Sequence, residues 1–167
     1  LTVNGSIIGK QRQVYFQNFI DDLGTTKHYL PFMNTSEQTT IYQEEAAVIM
    51  PCRGKVVSVS IRISSVVDTG DLTIGVHTVR PGISQFTTTN WVDEETETLA
   101  VESTDDYHSW NFVFSNAQHF EACDLLSISI LPSADYTSNT FWYAHTVIEY
   151  DWNNDLGSTS TEYDDNP

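Results

Sequence analysis

The sequence predicts an all-β protein, an antiparallel β-sandwich that is jelly-roll-like and has about eight or nine short strands. Three observations predict it. Apolar residues recur at every second position in several short runs, most clearly in KVVSVSIRISS, and that is the period of a half-buried strand. Clusters of Gly, Pro, Asp, Asn and Ser punctuate the runs, as turns require. No segment keeps the helical period for three turns.

Along the chain, VYFQNFI and HYLPF are short aromatic-rich runs suited to pleated sheet. EQTTIYQEEAAVIM comes nearest to a helix, but β-branched Thr39, Thr40, Ile41 and Val48 weigh against it. EEAAVIMP reads instead as a strand stopped by Pro51 ahead of the turn PCRGK. In KVVSVSIRISS, Val57, Val59, Ile61 and Ile63 share one face and Ser58, Ser60, Arg62 and Ser64 the other. VVDTGD then turns the chain, and LTIGVHTV sets Leu72, Ile74 and Val76 against Thr73, Gly75 and His77. The two runs together predict a hairpin. RPGISQFTTTNWVDEETET and PSADYTSN read as long loops at the ends of the sandwich, where binding residues are most often carried. YHSWNFVF and LLSISIL read as half-buried strands, and TFWYAHTVIEYDW is apolar on both faces, as in a central strand or one at a subunit contact.

A chain of 167 residues, 40% of them hydrophobic, has material for one core. The organisation expected is an N-terminal arm or linker over residues 1–13, a sandwich over 14–152 and an acidic C-terminal extension over 153–167 packed on the domain or a neighbour. The start LTVNGS carries no initiator Met, so the chain reads as a processed product or part of a longer polypeptide. The net charge of −16 is unevenly placed: all seven Lys and Arg lie before residue 81, so sixteen acids in the second half are unopposed. No basic patch is available to neutralise phosphates, which disfavours nucleic acid and an anionic membrane surface as partners. Neutral glycans, cations, basic protein surfaces and copies of the chain itself remain. No stretch has the length and apolarity of a membrane span.

Few motifs point to chemistry. WVDEETETLAVESTDD supplies seven carboxylates beside Trp91, the materials of a glycosidase dyad with a sugar platform, although a solvated acidic rim explains the same residues. VDTGD and SADYTSN hold oxygen donors around turns. Asp68 and Asp71 are weak candidate ligands for a structural Ca²⁺, and no other cofactor is suggested, but the spacing of a calcium loop is missing, and DTGD is more simply a hairpin turn. The five His are scattered without zinc spacing and read as hydrogen-bonded structural residues. No nucleophile elbow is present. Trp91, Tyr136 and Tyr163 fall in expected loops or the tail, where a ring either stacks on a ligand or subunit or lies under its own loop. Trp142 is assigned to the core or a subunit contact, and Trp152 to a structural role. Cys52 and Cys123 form either one bridge or two separate thiols.

The succession TTKHYLPF, EQTTIYQEEAAVIMP, GKVVSVSIRISS with GDLTIGVHT, STDDYHSWNFVFSNAQHFEACDLLSISI and FWYAHTVIEYDW resembles a group of virion structural proteins, fibre-like or decoration proteins, in tailed phages of marine cyanobacteria. The resemblance covers residues 11–167. It implies a non-enzymatic β-sandwich on the virion surface, assembled in the host cytoplasm, with LTVNGSIIGKQRQ as the end of a preceding shaft. The implied partners are copies of itself in a homotrimer, other virion proteins, and a host surface glycan or protein. A fibre-like or receptor-binding head is the leading role. A capsid decoration protein using the basic N-terminal arm is the alternative, and a secreted lectin-like or hydrolase domain is a second one. Related sequences usually carry Gly before the acid of HFEACD and an aromatic in PCRGK, where this chain has Cys123 and Cys52, and this departure, two Cys in turns that each precede a strand, favours their meeting in a disulfide formed after lysis. The resemblance also implies a folded tail, because it runs to the last residue.

Overall fold

The computed structural model describes residues 9–21, 23–33, 36–41, 44–63, 70–101, 108–115, 119–133 and 140–151. Nine strands run through the described residues in two antiparallel sheets. One sheet orders β1 (Lys10–Asp21), β9 (Thr140–Asp151), β4 (Gly54–Ile63) and β7 (His108–Val113) side by side. In the other, β2 (His28–Tyr29) and β3 (Ala47–Ile49) share one edge of β8 (Leu125–Pro132), whose other edge pairs with β5 (Gly70–Val79), and β6 (Val92–Val101) closes the row.

The pairs are nested. β1 pairs with β9, β2 and β3 with β8, β4 with β7, and β5 with β6, each successive pair lying in the opposite sheet. A long antiparallel ribbon that reverses between β5 and β6 and coils over the core gives this arrangement, which is the jelly roll. The fold class expected from the sequence is therefore the observed one.

Five local expectations are corrected. The runs in β4 and β5 are not a hairpin: β4 pairs with β7 and β9, whereas β5 pairs with β6 and β8 in the other sheet. A turn signal fixes where the chain reverses but not whether the next strand joins the same sheet. The long loop read through VDEETET ends at Trp91, and the acidic residues form β6, an edge strand. Charge lowers strand propensity and also keeps an exposed edge from pairing with another chain, so acids are tolerated there. β8 is buried on both faces rather than one. Finally, β4 carries an irregularity between Val56 and Ser58, so Val56 points inward with Val59, Ile61 and Ile63, and Val57 is only half-buried. Lys10–Gln13, expected in the arm, begin β1.

Between the sheets lies one large apolar cluster, with Phe19, Ile61, Phe112, Trp142 and Ile148 from one side and Leu72, Ile74, Leu126, Ile128 and Ile130 from the other. Trp142 is 1% exposed and stacks on Phe19 across the β1–β9 pair at 5.9 Å and 4°. At one end, Tyr15 and Tyr150 share a hydrogen bond of 2.8 Å between hydroxyls, and burial drives the Tyr150 phenol well above its ordinary range. The turns at 50–54 and 120–124 do meet: the amide of Met50 donates to Asp124 O, that of Cys123 to Met50 O, and Gly54 and Phe120 exchange two bonds. Yet the two cysteines are not disulfide-bonded, Cys52 being buried in the core and Cys123 exposed. Cys123 has φ +68°, the left-handed conformation that suits Gly.

Candidate ligand-binding face

Strand register assembles the outer surface of the β1–β9–β4–β7 sheet row by row. Across the sheet, Arg12 lies beside Glu149 and Lys55. Val14, Val147, Ser58 and Val113 form the next row, followed by Phe16, His145, Ser60 and Asn111. Asn18, Tyr143, Arg62 and Ser109 come after them, and Ile20 beside Phe141 ends the face. These side chains point outward because their strand neighbours Phe19, Val59, Ile61, Phe112, Trp142, Ala144 and Ile148 point into the core.

The face is unusually apolar for solvent exposure. Phe16 is 75% exposed and Tyr143 40%, and Val14, Ile20, Val113 and Phe141 are exposed as well. Single exposed hydrophobes are ordinary, whereas a contiguous group of this kind marks a contact surface. Phe16 meets His145 edge-on at 4.7 Å, Phe141 and Tyr143 lie nearly parallel at 6.5 Å, and the Arg62 guanidinium sits 5.9 Å from the Tyr143 ring centre. Ser60 donates to Asn111 Oδ1 at 2.9 Å. A cleft of about 240 Å³ opens between these residues, lined by Ser60, Ile61, Arg62, Ser109, Tyr143 and His145.

Charge separates by surface. Four of the seven basic residues, Lys10, Arg12, Lys55 and Arg62, belong to this sheet face. Lys10 and Arg12 both hold Glu149, at 2.9 and 3.1 Å, and with these bonds its carboxyl is held below the usual range. Asp93, Glu94, Glu95 and Glu97 run along β6 on the opposite sheet.

A second constellation involves His77, on β5 where its pairing with β6 shifts register past Glu94. Its Nδ1 lies 2.5 Å from Asp93 Oδ1 and its Nε2 2.7 Å from Ser129 Oγ. An ionised carboxylate only accepts, so Nδ1 carries the proton and Nε2 accepts from the serine hydroxyl. Burial lowers the His77 pKa, against the pull of the Asp93 carboxylate. The order Ser, His, Asp is that of an acyl-transfer relay. However, Ser129 is 2% exposed, lying beside Gly75, where an added Cβ would stand 2.7 Å from Ser129 Oγ. The Tyr29 ring meets His77 edge-on at 5.7 Å. A substrate carbonyl has no approach to that hydroxyl in this structure, and the network ties β5, β6 and β8 together.

The other residues singled out by sequence fall elsewhere. Trp142 is inside the core, and Trp91 is 8% exposed, packed with Ile41 and Val79, its indole N–H donating to Gln85 O at 3.0 Å. Burial takes both rings out of reach of a ligand or partner. Tyr136, Trp152, Tyr163, Asp68 and the tail from residue 152 lie outside the described residues. Asp71 is the second residue of β5, on the surface, its amide donating to Ser133 Oγ at 2.7 Å, and no cluster of three metal-binding side chains occurs among the described residues. His77 is a buried hydrogen-bonded histidine, as read, while His145 is exposed and contacts Phe16. Sequence reasoning did not single out Phe16, Ser60, Arg62, Tyr143 or His145 as a site. The two-sided apolarity of TFWYAHTVIEYDW was the signal, but the rows appear only once β1 and β4 are placed on either side of β9.

No family model matches the sequence, and no curated protein matches it. Solved structures that overlap it include the infectious bursal disease virus particle, with 10% identity and TM-score 0.40 over 84% of this chain and 32% of that one. The capsid of Helicobacter pylori bacteriophage KHP30 overlaps with 11% identity and TM-score 0.35, covering 84% and 93% of the two chains. A carbohydrate-binding module from the family 9 glycoside hydrolase Cel9A of Ruminococcus flavefaciens overlaps with 9% identity and TM-score 0.35, covering 80% and 97%. The chain thus spans about a third of the bursal virus protein. Overlaps of this depth carry neither kinship nor function.

Proposed function

We propose that the chain is a non-enzymatic structural component displayed on the surface of a tailed-phage virion, serving as a fibre-like or receptor-binding head module. The observation that carries this reading is the contrast between its two surfaces. One sheet presents exposed rings and most of the basic residues, while an acidic edge strand bounds the other. A display module needs both, a face that touches a receptor or neighbour and a remainder that stays solvated and repels non-specific contact. The sequence resemblance over residues 11–167 supports the same assignment, as does the jelly roll, an architecture shared by capsid and lectin domains.

Decoration of a capsid is the alternative role. It is weakened by the placement of Lys10 and Arg12, which are engaged with Glu149 on their own sheet. Homotrimerisation belongs to the fibre reading, and Ile83, Phe86 and Val92, exposed away from the ringed face, leave apolar surface for it. The test compares binding of the labelled chain to cyanobacterial host cells and to purified empty capsids. Binding to cells alone supports the head module, binding to capsids alone replaces it with decoration, and sugar release from host envelope by the chain would sink both.

A further inference from the structure

The ringed face changes character across the sheet. On the β1 and β9 side it offers Phe16, Tyr143 and Phe141, and on the β4 and β7 side Ser60, Asn111, Arg62 and Ser109. The cleft of about 240 Å³ lies on the seam, lined by Tyr143 and His145 from β9, Ser60, Ile61 and Arg62 from β4 and Ser109 from β7. A contact between copies of the chain would favour an uninterrupted apolar centre with polar groups at the rim. Here Ser60, Arg62, Ser109 and His145 stand within the face itself, beside Tyr143 and Ile61, and not only at its rim.

A sugar ring matches this division, because one of its faces is C–H-rich and its perimeter carries hydroxyls. The C–H face stacks on an aromatic ring, and the hydroxyls exchange hydrogen bonds with serine, amide, imidazole and guanidinium groups. Phe141 and Tyr143, nearly parallel at 6.5 Å, extend the aromatic surface along β9 beyond the cleft. The Arg62 guanidinium is held near Tyr143 at 5.9 Å, so less side-chain freedom is lost when it donates to a ligand. Charge selects within the class. Of the described residues lining the cleft only Arg62 is permanently cationic, and Lys10 and Arg12, farther along the face, are held by Glu149, so an anionic polysaccharide finds little to hold it at contact.

We propose that this face binds a neutral glycan, with sugar units seated in the cleft against Tyr143 and the chain continuing over the neighbouring rings. The proposal deepens the receptor-binding reading and rests on it for its biological meaning, but its chemistry is tested apart from where the protein resides. Calorimetric titration of the full chain with cellotetraose, mannotetraose and galactotetraose, with heparin as the anionic control, reads it directly. At least one neutral tetrasaccharide is expected to bind saturably with Kd on the order of 10–1,000 µM. Tyr143→Ala should weaken that binding about tenfold or more, while Tyr143→Phe, which keeps the ring, should change it less than about threefold. Arg62→Ala should weaken it without altering the melting temperature by more than a degree or so, since the side chain is exposed. Absence of saturable binding by every neutral sugar overturns the proposal, as does binding that survives both Tyr143→Ala and Arg62→Ala, or heparin binding tighter than any neutral sugar. If light scattering shows instead an oligomer that Phe16→Asp dissociates while no sugar binds, the face is a contact between copies. A chain located on virions that binds no sugar refutes this inference alone, and a sugar-binding chain absent from virions refutes the proposed location alone.

Discussion

Replacing Trp142 by Ala tests whether the β1–β9 pair is the mechanical centre of the sandwich. The ring is 1% exposed and stacks on Phe19 at 5.9 Å. An indole buries roughly 150–250 Å², which at about 25 cal/mol per Å² corresponds to about 4–6 kcal/mol. The unfolded chain already hides part of that area, which lowers the figure to about 3–5 kcal/mol, the range found when large buried rings are truncated. For a chain of this length, the melting temperature should fall by about 6–20 °C. Urea unfolding followed by fluorescence and circular dichroism gives the free energy, and an unchanged slope with denaturant shows that the native state stays compact. The Phe19→Ala variant should lose a comparable amount, and the double variant should lose about 0.5–1.5 kcal/mol less than the sum, because the stacking contact can be lost only once. A loss below about 1 kcal/mol for Trp142→Ala would refute the register that places this ring in the core.

Cys123→Gly should stabilise the protein by about 1 kcal/mol, since φ +68° costs a side chain but not glycine; equal or lower stability in reducing buffer would contradict that. Gly54→Ala should destabilise by about 1–3 kcal/mol or prevent folding, because the new Cβ would stand 2.5 Å from Glu149 O and 2.7 Å from the Phe120 ring; normal stability would show that the strands separate freely there. With the His77 pKa lowered by burial, the unfolded chain binds more protons than the folded one below about pH 6.5. Stability should accordingly be full above that pH and fall as pH drops towards the lowered value. Facing His77 are Asp93, Ser129, Tyr29 and Lys27, and urea titrations of wild type and His77→Gln between about pH 7.5 and 5.5 should show the slope in the first and its flattening in the second.

Much of the fold was legible because alternation depends on nearest neighbours in the chain. β4, β5, β7 and β9 all announce themselves by which residues pair at every second position. The partners of each strand were not legible. VVDTGD resembles a hairpin turn whether the chain then stays in one sheet or crosses to the other, and here it crosses. β6 was hidden by its own carboxylates, which an edge strand tolerates and a central strand would not. Similarly, Ser127 and Ser129 look like the wet face of a strand, yet they are buried because Ala46 O and His77 supply their hydrogen bonds. The ringed face needs residues far apart in the chain, Phe16 opposite His145 and Arg62 opposite Tyr143, so no local motif could have displayed it. The bridge favoured between Cys52 and Cys123 is not formed: the backbones of their turns meet, but one side chain is buried in the core and the other is exposed.

The central claim is that this jelly roll is displayed outward on a virion. Electron microscopy of intact tailed-phage particles labelled with gold-conjugated antibody against the domain tests it most directly. The account predicts label at repeated positions on the exterior of unbroken particles, at fibre tips for a head module or over the capsid for decoration. Unlabelled particles, with the protein recovered only from the soluble fraction of the lysate, would contradict it.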